Sequence, residues 1–168
     1  APSTSVALSC LLLITLPACS RQPSPGETPA PDGFATGWIE AWDSRDVDRI
    51  LTYYADDAFY EDVPTVENGW GEATRGHAMI REALVQMFEE MPDLGFELVS
   101  ASGAGDRMVV EWIMTGTRYL DYTGGFSIRG VSVVTLEEGR IAAVSDYYDA
   151  HLLLVQLGFV PALDAAQP

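Results

Sequence analysis

Apolar residues recur at helical spacing in three segments of the first half of the chain, and each segment is predicted to form a helix. The first helix is predicted over residues 33–42 and the third over residues 77–91, with Pro92 just beyond its end. Asp46 is placed to cap the second helix at its N-terminus. The three apolar faces consist of Phe34, Trp38, Ile39 and Trp42; of Val47, Ile50, Leu51 and Tyr54; and of Ile80, Leu84, Met87, Phe88 and Met91.

The second half of the chain is predominantly strand-like, because branched and aromatic residues dominate it and Gly-containing turns interrupt it. Long strands are predicted over residues 96–101, 107–117, 126–136 and 141–148. A short strand, 59–63, precedes a predicted loop over 64–76. Helices followed by an antiparallel run of strands indicate the α+β class. We expect a cone-shaped, curved antiparallel sheet wrapped around the N-terminal helices, with a mouth that can hold an apolar ligand.

Two carboxylates near the end of the chain call for different explanations. One face of the last predicted strand carries Ala142, Val144, Asp146 and Tyr148, because side chains alternate along a strand. Burying a carboxylate costs free energy unless it is paired or protonated, so Asp146 is a candidate functional group. Asp149 precedes a final predicted helix, 151–157, where an N-cap is needed, and Gly158 fits the C′ position.

Length and charge narrow the function classes. The 168 residues suffice for one domain of roughly 100–150 residues with its own core. The net charge is −16, from 25 acidic and 9 basic residues. Nucleic acids and anionic lipid surfaces both require basic protein surface, so this balance argues against either as a partner.

The N-terminal segment predicts export and lipidation. Residues 6–16 form an apolar run that is too short to span a membrane and is typical of a signal peptide. Leu16-Pro17-Ala18-Cys19 resembles the lipobox of bacterial lipoproteins, whose cysteine is lipidated and becomes the mature N-terminus. Cleavage there removes Cys10 and leaves no cysteine for a disulfide, a metal or nucleophilic catalysis. We therefore expect a signal peptide (1–18), a Pro-rich tether (19–32), one folded domain (33–161) and a C-terminal tail (162–168).

The order of predicted elements resembles the nuclear-transport-factor-2-like fold and, within it, the SnoaL-like proteins, over residues 34–158. The resemblance is carried by residues 53–62, followed by Arg75-Gly76-His77; by 137–141 with Asp146-Tyr147-Tyr148-Asp149; and by Gln156-Leu157-Gly158. These motifs are specific for the fold and much less so for an activity.

Three enzyme families of this fold can be compared with the chain. In ketosteroid isomerases the Asp that closes the first motif is the general base, and this resemblance implies that role for Asp62. Their oxyanion-binding Tyr falls on Trp38, which has an N–H donor. Their protonated Asp falls on or near Val131, which has none, so ketosteroid isomerase chemistry is disfavoured.

Limonene-epoxide-hydrolase-like enzymes hold a water between a Tyr, an Asn and a late-strand Asp. Tyr60 and Asp146 match two of these positions, and Asp62 stands in place of the Asn. Their Arg-x-Asp pair falls on Trp112-Ile113-Met114, which removes the acid that protonates an epoxide. SnoaL-like polyketide cyclases rely chiefly on one late-strand Asp in an apolar pocket. Asp146 matches that Asp, and this is the nearest pattern.

The resemblance implies a site with two facing acids. If Asp62 and Asp146 share an apolar cavity, they cannot both ionise cheaply, so one pKa rises and the pair titrates as a unit. Such a pair supplies an acid and a base at neutral pH without a cofactor. We expect no metal either, because His77 and His151 lack a ligand-like spacing. The catalytic candidates are Asp146, Asp62 and Tyr60, and the substrate-binding candidates are Trp38, Tyr53, Phe88, Trp112 and Tyr148.

The sequence therefore predicts a bacterial lipoprotein of the cell envelope, held to the membrane only through lipidated Cys19. Its domain is expected to bind a small apolar molecule, with cofactor-free acid/base catalysis of the cyclase, isomerase or hydrolase type. The alternative is a non-catalytic ligand-binding or protein-interaction module. A homodimer formed through the sheet is the protein partner we expect. Glu111 is expected to pair with Arg129 on a neighbouring strand instead of lining the pocket.

Overall fold

The computed structural model describes residues 31–161, so the predicted signal peptide, the lipobox with Cys19, most of the tether and the C-terminal tail lie outside the described residues. Helix α1 spans Pro31–Asp43 and α2 spans Val47–Leu51. Asp46 caps α2 as predicted, because its carboxylate accepts a hydrogen bond from the Arg49 backbone N–H at 3.0 Å. Tyr54, predicted on the apolar face of α2, instead opens the first strand.

The chain then alternates between short helices and strands. The remaining elements are β1 (Tyr54–Asp62), α3 (Val63–Glu67), β2 (Thr74–Arg75), α4 (Gly76–Glu90), β3 (Gly95–Ala104), β4 (Arg107–Tyr119), β5 (Tyr122–Glu137), β6 (Arg140–Tyr148) and α5 (Ala150–Gln156). The prediction of an unbroken loop over 64–76 was wrong, since α3 and β2 lie within it. Asp62 caps α3 by accepting from the Thr65 N–H at 2.9 Å, and Pro64 is tolerated in the first turn because no partner is lost there.

The final helix confirms the interpretation of Asp149. Its carboxylate accepts from the Leu152 N–H at 2.8 Å, so it caps α5. Gly158 follows the helix with φ 81°, the left-handed conformation that glycine adopts without a Cβ penalty. This acid therefore has a complete local explanation, and it is exposed.

The six strands form one curved, unclosed sheet in the order β2-β1-β6-β5-β4-β3, and the predicted α+β class is confirmed. Strands β3 to β6 pair antiparallel, as expected. Strand β1, however, runs parallel to β6, so the sheet is mixed. A parallel pair requires a long crossover connection, and here two helices and the other four strands lie between the two. This pairing places Tyr60 opposite Val144 and Asp62 opposite Asp146.

An extra residue in β6, Ala142, sets which side chains of this strand face the core. The pairing register with β5 shifts by one residue at this point, which is a β-bulge. Ile141 and Val144, on either side of the shift, are both fully buried. The prediction that Ala142 shares the inward face was therefore wrong, because Ile141 occupies that position. Beyond the bulge, the ordinary alternation turns Asp146 inward.

The core lies between the helices and one face of the sheet. Helix α1 packs against β3, and α4 packs against β1. The largest fully buried side chains are Trp38, Ile50, Tyr54, Ile80, Leu84, Leu94, Val110, Ile128, Val134, Ile141 and Val144. Within residues 31–161, no helix has the length and apolar composition needed to cross a membrane.

Candidate functional site

A pocket opens between α1 and the central strands of the sheet. Its lining consists of Trp38, Ile39, Trp42, Phe96, Trp112, Ser132 and Asp146. The empty space amounts to ≈ 220 Å³ when the solvent-open mouth is included. The pocket is therefore mainly aromatic and carries one carboxyl group.

A hydrogen-bonded chain holds the Asp146 carboxyl in place. The Trp112 indole N–H donates to the Ser132 hydroxyl at 2.8 Å, and that hydroxyl donates to Asp146 Oδ1 at 2.5 Å. An indole nitrogen only donates, so it directs the single Ser132 proton towards the carboxylate. Both Ser132 and Asp146 are buried. The carboxyl is thus oriented by two residues on two neighbouring strands.

Gly130 makes the position of Trp112 sterically accessible. The two residues are register partners on β5 and β4. A Cβ atom at position 130 would overlap the six-membered ring of the Trp112 indole. Only glycine allows the ring to lie over the neighbouring strand at this point. The orientation of the indole N–H towards Ser132 therefore depends on a residue with no side chain.

The second acid, Asp62, lies beside Asp146 on the same face of the sheet. They are register partners on β1 and β6, and register partners in adjacent strands project to the same face. One oxygen of Asp62 accepts from the Thr65 backbone N–H as the α3 cap, and the other accepts from the Tyr148 hydroxyl at 3.2 Å. Both oxygens are therefore engaged, and Asp62 has a structural role that the sequence analysis did not assign to it.

Burial shifts the protonation of this cluster towards neutral forms. It raises the pKa of Asp146 to about 7, the Asp62 charge adds to the rise, and hydrogen bonding from Ser132 and Tyr60 opposes it. Burial also raises the pKa of Asp62, against the hydrogen bonds from Thr65 and Tyr148. The pKa values of the Tyr54, Tyr60 and Tyr148 hydroxyls are raised by burial and by the nearby acids, so these phenols remain protonated donors at neutral pH.

The structure brings most of the predicted binding residues to the pocket or directly behind it. Trp38 and Trp112 line it. Phe88 contacts the lining residue Trp42 edge-on, at 6.3 Å between ring centroids, and Tyr148 lies 6.3 Å from the Trp112 ring. These two aromatic side chains support the wall.

Tyr53 is the exception among these residues. It lies just before β1 and packs edge-on against Phe34, with 5.4 Å between ring centroids, and it is not among the lining residues. Its hydroxyl would be 2.5 Å from a Cβ at Gly37, so the ring fills a space that α1 leaves open. Tyr53 thus serves helix packing in this structure, and its role in substrate binding stays a prediction.

Sequence reasoning missed Ser132 and Tyr54 as members of the polar cluster. The signal for Ser132 was present in the alternation of β5, because Ile128 and Val134 on the same face are fully buried. A hydroxyl between two such positions requires a partner. Tyr54 was assigned to a helix, and that assignment concealed its proximity to Asp146.

Cationic side chains are placed away from the pocket. Arg129 pairs with Glu111 at 2.8 Å, as predicted. None of the described lining residues is an arginine, and the 168-residue sequence contains no lysine.

The Nε2 atom of His77 lies 3.1 Å from the Tyr54 carbonyl oxygen, at the start of β1. No group of three His, Cys, Asp or Glu side chains within residues 31–161 is arranged to hold a metal ion.

Together, the fold and the site define a small α+β domain with a buried acid in an aromatic pocket. Residues 35–144 match the SnoaL-like domain family, and the chain belongs to that family. No curated protein matches the chain significantly.

Solved structures show the same fold at low sequence identity. A protein with a ketosteroid isomerase-like fold from Catenulispora acidiphila, in complex with trimethylamine, is 20% identical, with a TM-score of 0.68 over 77% of this chain and 95% of that one. TerC co-crystallized with polyporic acid is 18% identical, with a TM-score of 0.66 over 76% and 97% of the two chains. A candidate SnoaL-like polyketide cyclase from Shewanella denitrificans is 19% identical, with a TM-score of 0.64 over 79% and 99%. These similarities establish the fold alone.

Proposed function

We propose that this domain binds a small apolar molecule in the aromatic pocket and that Asp146 transfers a proton to or from it, in a cofactor-free reaction of the cyclase or isomerase type. The observation that carries the proposal is the buried Asp146 carboxyl, whose pKa of about 7 leaves both protonation states populated near neutral pH. General acid/base catalysis is most effective when the pKa of the group lies near the working pH.

The hydrogen bonds around Asp146 support this role. Ser132 occupies Oδ1, and Trp112 fixes Ser132, so the carboxyl keeps one orientation. In its ionised form Asp146 accepts a proton from an acidic C–H bond of the ligand, and in its neutral form it returns the proton to another atom of the same molecule. The apolar walls limit competing proton transfer to bulk water.

Asp62 and Tyr60 assist without transferring the proton themselves. The Asp62 charge raises the pKa of Asp146, while both Asp62 oxygens already accept hydrogen bonds from Thr65 and Tyr148. The Tyr60 hydroxyl adds a hydrogen-bonding contribution that favours the ionised form of Asp146. Removing the Asp62 charge is therefore expected to lower the apparent pKa of the reaction.

Deuterium exchange tests the proposal even though the product of the reaction is not identified. The protein is incubated in D₂O with a panel of small apolar carbon acids, and mass spectrometry measures incorporation of deuterium. Asp146→Asn is expected to lower any exchange that the protein accelerates by roughly 10²–10⁴-fold. Asp149→Ala, a cap with no contact to the pocket, serves as the matched control and should exchange at the wild-type rate. Equal rates for wild type and Asp146→Asn would refute the role of Asp146.

A second candidate function is ligand binding without chemistry. One neighbour of the same fold holds trimethylamine. In this chain the wall of aromatic rings and the lining acid Asp146, with no arginine among the described lining residues, suit a small methylated ammonium ion through cation–π contact and charge. Trimethylammonium affinity measured by calorimetry should then rise with pH through about 7, as Asp146 ionises. An affinity that does not change with pH would count against this alternative.

We also propose that the chain is a lipoprotein of the cell envelope, on the basis of Leu16-Pro17-Ala18-Cys19 and the Pro-rich segment that follows. The wild type should then enter the detergent phase and incorporate labelled fatty acid, and Cys19→Ala should lose both properties, since stable anchoring depends on the attached chains. Retention of the label by Cys19→Ala would contradict lipidation at this residue. The homodimer through the sheet stays a prediction.

A further inference from the structure

Two rows of side chains cross the strands of the sheet at the pocket, and neighbouring members of each row are register partners. The second row stands two residues away from the first on the same strands, so both rows project to the same face. The rows consist of Val110, Ser132, Asp146 and Asp62, the acid row, and of Trp112, Gly130 and Tyr148, the aromatic row. Because Gly130 has no side chain, the Trp112 and Tyr148 rings approach across it to 6.3 Å between centroids. The donors of the aromatic row therefore lie beside the oxygen atoms of the acid row.

Each acid accepts a hydrogen bond from a hydroxyl group, but the two carboxyls are held differently. Asp62 accepts on both oxygens, from the α3 backbone at 2.9 Å and from Tyr148 at 3.2 Å. Asp146 accepts from the Ser132 hydroxyl on Oδ1 at 2.5 Å. Tyr60 also favours the ionised form of Asp146 by hydrogen bonding, and a carboxylate with about four lone-pair sites keeps capacity beyond these two donors. Since Asp146 lines the pocket, it can exchange a proton with a molecule bound there.

The chain from Trp112 through Ser132 to Asp146 has a fixed direction. An indole N–H can only donate, so the Ser132 oxygen accepts from Trp112 and the single Ser132 hydrogen points to Oδ1. A proton placed on Oδ1 would have to donate to Ser132, and the Ser132 hydrogen would lose its acceptor inside a residue that is 1% exposed. A proton on Oδ2 leaves both hydrogen bonds intact. Neutral Asp146 is therefore protonated on Oδ2.

We propose that Ser132 is a positioning residue that assigns proton transfer to Oδ2 of Asp146, and that Trp112 orients Ser132 for this task. The inference rests on the proposed function of Asp146 and names the atom that performs it. When a C–H bond of the ligand breaks, its electron pair stays on the ligand and the proton forms an O–H bond with Oδ2. The return step breaks that O–H bond and gives the proton back to the ligand. Ser132 keeps its own hydrogen throughout.

The titratable groups that interact with Asp146 come from two strands. They are Tyr54, Tyr60 and Asp62 on β1 and Tyr148 on β6. Each of them is neutral or negative in every protonation state, so none supplies a positive charge to the carboxylate. All four remain in place when Ser132 is changed. A Ser132 variant therefore removes one donor from Asp146 and alters no other charge around it.

The sign of a shift in the Asp146 titration tests the assignment. NMR of the full chain with ¹³C-labelled aspartate carboxyls follows the titration midpoint of this residue, identified by its absence in Asp146→Asn. Ser132→Ala should raise the midpoint by about one pH unit, because the ionised form loses a donor. A proton on Oδ1 would make Ser132 an acceptor for the neutral form, and the same variant would then lower the midpoint. Ser145→Ala is the matched control, since its hydroxyl donates to a different acid, Glu61, at 3.3 Å, and it should leave the Asp146 midpoint in place.

The wild type and a conservative variant provide independent readouts. The Trp112 indole N–H signal should titrate together with the Asp146 carboxyl, because ionisation polarises the chain that joins them. The signal of Trp70, which is 54% exposed, should stay constant. This measurement needs no variant, so it remains decisive if Ser132→Ala does not fold. Ser132→Thr keeps the hydroxyl and should bring the midpoint back towards that of the wild type, and Trp112→Phe should raise it by less than Ser132→Ala does.

The outcomes separate this inference from the proposed function. A midpoint that falls or stays constant in Ser132→Ala, or a Trp112 signal that does not titrate in the wild type, would overturn the inference. If deuterium exchange still depends on Asp146 in that case, the proposed function stands alone. The pH midpoint of the exchange rate should rise in Ser132→Ala together with the NMR midpoint, which a purely structural role of Ser132 does not predict. Shifted NMR midpoints without any exchange that depends on Asp146 would refute the proposed function and keep the proton on Oδ2.

Discussion

The acids on the outer surface and the acids at the pocket have different partners. On the surface, four carboxylates of the described chain each pair with an arginine: Glu40 with Arg49, Asp48 with Arg81, Asp56 with Arg140, and Glu111 with Arg129. At the pocket, the hydrogen-bond donors to Asp146 and Asp62 are hydroxyl groups and one backbone N–H. The same functional group is thus compensated by full charges outside and by neutral donors inside.

This difference explains why only the inner acids are suited to proton transfer. Neutral donors stabilise a carboxylate less than a guanidinium does, so burial prevails and the pKa of Asp146 rises to about 7. An arginine in the pocket would have held the proton affinity low and kept the group ionised at all working pH values. The surface pairs, by contrast, are screened by solvent and contribute little to stability. The lack of a cation among the described lining residues is therefore part of the site.

The largest expected effect is on the pH dependence of stability. The folded state holds a proton on Asp146 up to about pH 7, while the unfolded chain loses it near 3.9. This difference in protonation stabilises the folded state fully below about pH 3.9, and the stabilisation is lost as the pH rises through about 7. Between about pH 3.9 and 7 the free energy of unfolding should fall by up to about 1.4 kcal/mol per pH unit, a total on the order of 4 kcal/mol.

Denaturant melts at several pH values check this expectation, with Asp146→Asn as the comparison. The variant cannot titrate at this position, so its stability should exceed that of the wild type above pH 7, and its curve should be flatter. A smaller slope of the same sign should remain, because the pKa of Asp62 is also raised. Parallel curves for the two proteins would mean that Asp146 is ionised throughout the range.

The next effect concerns the glycine under Trp112. Gly130→Ala introduces a methyl group that overlaps the indole, and overpacking of this kind typically costs about 1–3 kcal/mol. We also expect the Trp112 N–H signal to move, because the bond to Ser132 is disturbed. Gly125→Ala, on the same strand but with open space around the added atom, is the matched control and should melt close to the wild type. Similar losses for both variants would point to backbone effects instead.

A smaller effect is expected at the α5 cap. Asp149→Ala removes the acceptor of the Leu152 N–H and should cost about 1 kcal/mol in thermal melts. Ligand binding should be unchanged, since Asp149 is exposed and has no contact with the pocket. A loss of binding in this variant, with stability intact, would mean that we have assigned Asp146 and Asp149 the wrong way round.

The smallest effect is expected at the surface pair of Glu111 and Arg129. Arg129→Met should change the free energy of unfolding by less than about 1 kcal/mol, because the arginine side chain is 63% exposed. The small difference should shrink further in high salt, whereas the Asp146 effect should persist there. A large loss of stability in Arg129→Met that persists in high salt would contradict the distinction between the surface acids and the pocket acids.

Local patterns were enough to predict much of the fold. The periodicities of α1 and α4 and the caps Asp46 and Asp149 were predicted correctly, because each depends on residues within one turn of the chain. The parallel pairing of β1 with β6 was not predicted, since it joins residues 84 to 87 positions apart and has no local signal. Helix α3 was missed because Asp62 was interpreted only as a pocket residue, although Pro64 at the start of a helix is a cue.

The site was predictable where one strand determines it and not where several strands meet. Asp146 stood out because its own strand gives it an apolar face. Ser132 and Tyr54 gain their significance from other elements, and the mutual placement of elements is a tertiary property. Tyr53 and Tyr54 both pack against aromatic rings of α1, Tyr53 against Phe34 and Tyr54 against Trp38, and no local pattern separates them.

The bulge at Ala142 has a consequence for how the site tolerates change in length. Side chains in a strand have a period of two, so deletion of this one residue would invert the phase of everything after it. Asp146 would exchange faces with Ser145 and Tyr147, although every residue of the site would still be present in the sequence. Chains that keep all these residues but lack the extra position would therefore direct the acid away from the pocket, and an insertion elsewhere in β6 would be needed to restore it.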